Sequence, residues 1–251
     1  ARAGGASVRP VRRGDPERLA TALAGDWRAP GVVCVDAVDA ATGATAPLAV
    51  IAALAGKHGA LVYLDDTVGF GVLGERSPFE PSSYGIRGNG TAAHLLADPE
   101  RLVVVGSLER TCASPVSFLA CSGRAGGALA GGPVGSSCPQ PVAALAQAIE
   151  GLRLNEQRGD RIRARLHRLT EQLPGPLARA GRGDTCFPVA ELAPSVAHAL
   201  LEWGIHVPAP APGVRPRIHV TAAHTDEQVR ELAAALAALA EAFKLRPLPA
   251  E

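Results

Sequence analysis

The sequence contains no methionine, and its only lysines are Lys57 and Lys244, every other basic residue being arginine. Chemistry that needs a lysine amine therefore has two places to find one. Charge of either sign is also missing in excess: 25 basic against 24 acidic side chains leave a formal net charge of +1, which excludes a basic nucleic-acid binder and an acidic tail protein. No apolar run approaches the roughly 18 residues of a membrane-spanning helix, because Gly, Pro and charge break the Ala-rich stretches. The first residues, Ala1-Arg2-Ala3-Gly4-Gly5, lack the apolar centre of a secretory signal, so a cytoplasmic protein is expected. The five cysteines, Cys34, Cys112, Cys121, Cys138 and Cys186, are odd in number and form no C-x-x-C pair. That argues against a disulfide framework and a zinc site, and for free thiols. The histidines show neither H-x-x-x-H nor H-E-x-x-H spacing, so no metal site is expected. No G-x-S-x-G nucleophile motif occurs.

What is present suits a globular α/β protein. With 251 residues and 47% apolar content, the chain can bury one large core or two small ones. Pro16 to Leu23 reads as a short helix and Gly31 to Asp36, apolar and β-branched, as a buried strand. Pro47 to His58 repeats apolar residues at helical spacing (Leu48, Ile51, Leu54) and stops at Gly59. Leu61 to Leu64 is a second strand, closed by Asp65-Asp66. Strand, helix and strand with short connections predict a mainly parallel sheet covered by helices, to which Leu102 to Val105 and Val116 to Ala120 add strands. Gly123 to Gly135 reads as a loop. A long helix is expected from Pro141 to about Leu173, apolar at Val142, Leu145, Ile149 and Leu152. It marks the boundary between a larger unit, residues 1–150, and a small C-terminal α/β unit, residues 151–251. The second unit is expected to hold strands near Thr185 to Val189 and Arg217 to Val220. Its helices are expected over Ser195 to Trp203 and from Asp226 to about Phe243, the latter with an N-cap at Thr225 and an acidic first turn.

Four ordered blocks carry a further reading. Val33-Cys34-Val35-Asp36-Ala37-Val38, then Gly43-Ala44-Thr45-Ala46-Pro47-Leu48, is similar to V-x-T/E-G-V-F-S-x-D-G-D-x-A-P-L. The run from His58 to Gly74 is similar to H-G-A-L-L-x-V-D-E-A-H-G-x-G-V-L-G. Val105-Gly106-Ser107-Leu108-Glu109-Arg110 resembles V-G-T-L-S-K, with arginine at the lysine. Arg215 to Thr225 resembles R-L-R-I-S-L-S-A-A-H-T. Together they resemble the α-oxoamine synthase family, within the class-II, fold-type-I pyridoxal-phosphate aminotransferase-like group. The resemblance implies a fold-type-I α/β architecture, here a partial large domain with a small C-terminal domain. Family members are longer, and their N-terminal arm, first strand and ring-stacking aromatic have no counterpart here. With methionine absent, a fragment or a naturally shortened relative is expected.

The same resemblance assigns roles. Arg110 stands where the family lysine forms its Schiff base with the cofactor aldehyde; a guanidinium, protonated to a pKa above about 12, cannot replace that amine. Lys57, at the end of a surface helix, and Lys244, near the C-terminus, are not replacements. Asp65 matches the aspartate that pairs with the pyridinium nitrogen, although an aspartate closing a parallel strand is also a common loop-start residue. Val68 replaces a histidine near the ring. Ser107 keeps a hydroxyl of the type that contacts phosphate, or else caps the turn. Glu109 replaces a hydroxyl, and its carboxylate would be repelled by a phosphate unless it pairs with Arg110 or points away. Arg217 matches the arginine that binds the amino-acid carboxylate, with Arg215 or a surface ion pair as alternatives. His224 reads as a helix-entry residue. Cys112, two residues beyond Arg110, has a neighbouring cation but no base partner. Gly69-Phe70-Gly71-Val72-Leu73-Gly74 satisfies G-x-G-x-x-G without opening a Rossmann helix.

These assignments predict a degenerate α-oxoamine synthase or aminotransferase-like protein. It would be a non-catalytic pseudoenzyme or partner subunit, working as a homo-oligomer or as a heterodimer with a family member. The heterodimeric serine palmitoyltransferases, which pair a lysine-less chain with an active one, offer the family precedent. The alternatives are an active pyridoxal-phosphate-dependent acyltransferase or aminotransferase completed by another chain, and a decaying gene product.

Overall fold

The computed structural model describes residues 5–25, 31–76, 82–95, 99–123, 126–127, 139–173, 187–208 and 214–242. They fall into two compact units. The first is drawn from residues 1–38, 46–75 and 89–153, and the second from 39–45, 76–88 and 154–251.

In the first unit α1 (Pro16–Leu23) begins where Asp15 accepts a hydrogen bond from the Arg18 amide at 2.9 Å, with Pro16 at the first helical position. Both features fit a helix start, since the aspartate satisfies a free amide and proline has none to lose. β1 (Val32–Asp36), α2 (Leu48–Lys57) and β2 (Leu61–Asp65) follow as a strand, helix and parallel strand. Leu48, Ile51 and Ala55 recur on one side of α2 and are buried. They pack with Val62, Leu64, Leu102, Val33 and Val35 in one cluster, each large side chain contributing about 1.5–3 kcal/mol.

α3 (Thr91–His94) leads to β3 (Leu102–Ser107), which pairs with β2 in parallel. α4 (Glu109–Cys112) then turns the chain into β4 (Ser117–Cys121), antiparallel to β3. The sheet order is β1-β2-β3-β4. It is mainly parallel, as the sequence pattern predicts, and the short turn at 108–116 accounts for the one antiparallel pair, since a parallel return needs a crossover. The sheet face opposite α2 keeps Val32, Cys34 and Tyr63 exposed.

α5 (Val142–Glu171) corrects one expectation. Its large apolar residues Val142, Leu145, Ile149 and Leu152 are 82%, 43%, 68% and 41% exposed, while Ala144 and Ala148 are buried. Gly151 faces Cys112, whose side chain occupies the space a Cβ would take, and Ser114 Oγ donates to the Ala144 carbonyl at 2.7 Å. Only small residues admit the 108–114 turn so close to the helix backbone, so the small side is the one covered.

The second unit contains the rest of α5 from Leu154, β5 (Val189–Glu191), α6 (Pro194–Glu202), β6 (Arg217–His219) and α7 (Asp226–Ala242). β5 and β6 pair antiparallel, with Ala190 opposite Ile218. β5 starts at Val189, later than the sequence reading, because Phe187-Pro188 precedes it and proline has no amide to donate; residues 185–186 lie outside the described residues, as do most of 123–135, Lys244 and Phe243. α7 opens with a reciprocal cap: the Gln228 amide donates to Thr225 Oγ1 at 3.1 Å and the Thr225 amide to Gln228 Oε1 at 2.9 Å, the capping-box arrangement. Arg165 donates to the carbonyls of Ala222 and His224, and Arg168 pairs with Asp226.

Candidate functional site

The family-like residues of the first unit gather at the C-terminal ends of β2 and β3, the end where ligands sit in open α/β sheets. Asp65 closes β2 and is half-buried; its Oδ1 accepts from the Thr67 amide at 3.0 Å and the Thr67 hydroxyl at 2.7 Å. This local bond is what a loop-start aspartate makes, and it leaves Oδ2 for another donor. Asp65 lies opposite Val105 in the register, so Ser107, two residues on, is about 8 Å from it along the same face. Val68 is half-buried in the turn from Asp66 to Leu73, where Phe70 and Leu73 donate back to Asp66 and Gly69. The G-x-G-x-x-G segment is therefore a turn.

Ser107 Oγ accepts from the Glu109 amide at 3.2 Å and so caps the turn, with its own proton left for a further acceptor. Leu108 is buried, and its carbonyl accepts from the amides of Cys112 and Ser114. That anchoring leaves Glu109 and Arg110 exposed. Among the described residues Arg110 has no ion-pair or hydrogen-bond partner, and Glu109 does not pair with it. Thr111 Oγ1 donates to the Phe70 carbonyl at 3.2 Å and ties the two turns together. Burial pushes the Cys112 thiol above its ordinary range, so the nearby cation does not activate it.

Lys57 is exposed at the C-terminal end of α2. Because α2 runs back between parallel strands, that end lies beside Leu61, about 13 Å from Asp65 along the four residue steps of β2.

The sequence pattern missed Asp66, which is 1% exposed. Its Oδ1 accepts from the Thr91 hydroxyl at 2.6 Å and Oδ2 from the Thr91 amide at 2.8 Å. Burial raises its pKa to about 6 against the lowering effect of Thr91. Gly69 and Gly90 enclose the carboxylate, and a Cβ on either would collide with it; Gly90 also has φ +100. The Asp-Asp pair and the Gly-Thr step 24 residues on were the only sequence signals, and neither shows that they meet.

In the second unit Arg217 is half-buried on β6, and its Nε is buried without an acceptor. It forms no ion pair with a described residue, although Glu191 lies opposite it in the register; Arg215 is exposed. His224 is structural, its Nδ1 accepting from the Thr221 amide at 3.0 Å. Among the described residues no cluster of His, Cys, Asp or Glu could hold a metal ion, and no helix is long and apolar enough to cross a membrane.

A family model for class I and II aminotransferases matches residues 1–236. The chain is similar to the 8-amino-7-oxononanoate synthase of Dechloromonas aromatica, 32% identical over 259 aligned positions covering 96% of this chain and 64% of that protein. The enzyme of the same description from Janthinobacterium sp. is 31% identical over 254 positions, 94% of this chain and 62% of that protein. The chain thus spans less than two thirds of these relatives' length. The structure of serine palmitoyltransferase from Sphingomonas wittichii superposes with a TM-score of 0.72 at 21% identity, over 93% of this chain and 60% of that one. That likeness shows a pyridoxal-phosphate-transferase-like α/β fold.

Proposed function

Because the chain belongs to the class I and II aminotransferase family, in its α-oxoamine synthase branch, we propose that it is a non-catalytic member that retains the scaffold and serves as a partner subunit. The observation that carries this reading is the turn after β3. Arg110, which we take to stand at the place of the family lysine, is exposed and has no partner among the described residues, while Lys57 is at the opposite end of the sheet. Pyridoxal phosphate, where a family member holds it, supplies an electron sink joined through a lysine amine. The donor set here does not fit that attachment. Asp65 keeps an oxygen for a ring nitrogen, but a guanidinium is no nucleophile at neutral pH, Val68 offers no polar contact, and the Glu109 carboxylate opposes a phosphate.

Retention of Arg217 with a buried, acceptor-free Nε supports a remaining carboxylate-binding role. It favours, as a second reading, a transferase whose lysine comes from another chain. The exposed apolar side of α5 supports a partner in either case.

The test is titration of the purified chain with pyridoxal phosphate, read by visible absorbance and by borohydride trapping with mass analysis. No band and no adduct are expected. A trapped adduct on Lys57 or Lys244 overturns the reading. Adding a lysine-bearing family member then separates the two readings: turnover above that of the member alone, lost in Arg217→Ala, selects the completed transferase.

A further inference from the structure

Outside the family-like site, the second unit brings together a hydroxyl, an imidazole and a carboxylate that no sequence motif announces. Ser83 Oγ and His167 Nε2 are 2.8 Å apart. On the other side of the ring, His167 Nδ1 is 3.5 Å from Glu171 Oε2, one helical turn further along α5. With the Nδ1 proton facing the carboxylate, Nε2 is the ring's acceptor, and the Ser83 hydroxyl donates to it. The order serine, imidazole, carboxylate, with the two ring nitrogens used on opposite sides, is the arrangement that activates a hydroxyl for acyl transfer. The longer Nδ1 contact is within the looseness such groups show before a substrate is bound.

The surroundings hold the ring and leave the hydroxyl reachable. Tyr84 is fully buried, its ring edge-on to His167 with centroids 5.1 Å apart, and its hydroxyl donates to Thr170 Oγ1. The segment is fixed again at Arg87, whose amide donates to Asp160 at 2.7 Å and whose carbonyl accepts from Asn155 at 3.0 Å. Ser83 is half-buried and Glu171 exposed, so the group opens to solvent. The Ser83 amide has no acceptor among the described residues, which leaves a donor beside the place where an oxyanion would form.

We infer that Ser83, His167 and Glu171 form an acyl-transfer site for activated esters, a site independent of the proposed subunit role. Ser83 Oγ bonds to the acyl carbon as its proton passes to His167 Nε2. The bond to the leaving alcohol or thiol then breaks, and that group departs with the proton. Water, deprotonated by the same nitrogen, releases the acid and restores the hydroxyl. Glu171 is a positioning residue that orients the ring and faces the imidazolium as it forms.

A fluorophosphonate tests this on the whole chain, because Ser83 Oγ would displace fluoride from phosphorus with its proton taken up by His167. One adduct is expected, on Ser83, absent in Ser83→Ala and slowed at least about 100-fold in His167→Gln. In Glu171→Gln, an exposed change that leaves the fold intact, the maximal labelling rate falls about tenfold while the half-saturating probe concentration is unchanged. No adduct, an adduct elsewhere, or full-rate labelling in a folded His167→Gln chain overturns the inference and leaves the Ser83–His167 bond as a pin between the segment and the helix.

Discussion

Asp66 and Thr91 are joined twice, the hydroxyl to Oδ1 at 2.6 Å and the amide to Oδ2 at 2.8 Å, and this pair closes the turn beneath the family-like site. The carboxylate is buried, which raises its pKa from 3.8 to about 6. The folded state therefore binds the proton more tightly than the unfolded chain. That contribution is complete below about pH 3.8 and is lost as pH rises through about 6. Its size is about 3 kcal/mol at most. Asp66→Asn cannot ionise. Urea unfolding between pH 4 and 7 should show wild type losing stability relative to the variant, and a difference that does not change with pH would refute the assignment.

Gly69 lies against the same carboxylate. Gly69→Ala places a methyl group on Asp66 Oδ1 and Thr91 Oγ1, so the buried pair must separate. A loss of about 2 kcal/mol or more is expected, the cost of overpacking plus a partly unsatisfied charge. A denaturation midpoint within error of wild type would show that the turn yields freely.

Arg110→Lys returns an amine to an exposed turn already held by Leu108 and Thr111. The variant should acquire a borohydride-trappable pyridoxal-phosphate adduct at position 110 that wild type lacks, without change in thermal stability beyond about 0.5 kcal/mol. Mass analysis of the trapped protein decides, and absence of the adduct would mean that Val68 and Glu109 suffice to prevent binding.

Arg217 buries Nε without an acceptor. Replacing it with methionine, of similar length and no donors, should leave stability unchanged or raise it by about 1 kcal/mol. Marked destabilisation would reveal an acceptor for Arg217 within the fold and remove the argument that it awaits a carboxylate.

Val142, Leu145, Ile149 and Leu152 form an exposed apolar stripe spaced as in a helix-pairing seam. The isolated chain should self-associate, and Leu145→Gln with Ile149→Lys should shift sedimentation toward monomer at unchanged unfolding midpoint. A wild-type chain that sediments as a dispersed monomer at high concentration counts against the partner reading.

Much of this was legible in the residues. β1, α2 and β2 lie within a residue or so of their predicted bounds, because apolar period and the Pro47 and Gly59 breaks are local signals. The Thr225-Gln228 cap was half legible: the N-cap stood out, the answering glutamine did not. Asp65 and Ser107 reach one end of one sheet because they close parallel neighbouring strands, and Arg110 follows in the turn after β3.

The sequence by itself determined the element types and the parallel order that follows from strand-helix-strand, both of which depend on local pattern. Tertiary structure decided which side of α5 is covered, that Asp66 and not Asp65 is the buried acid, and that Ser83 meets His167. Those outcomes depend on how closely distant segments approach. Gly151 admits Cys112, and Gly69 and Gly90 admit a carboxylate, yet a glycine in a sequence does not say what will fill the space it leaves.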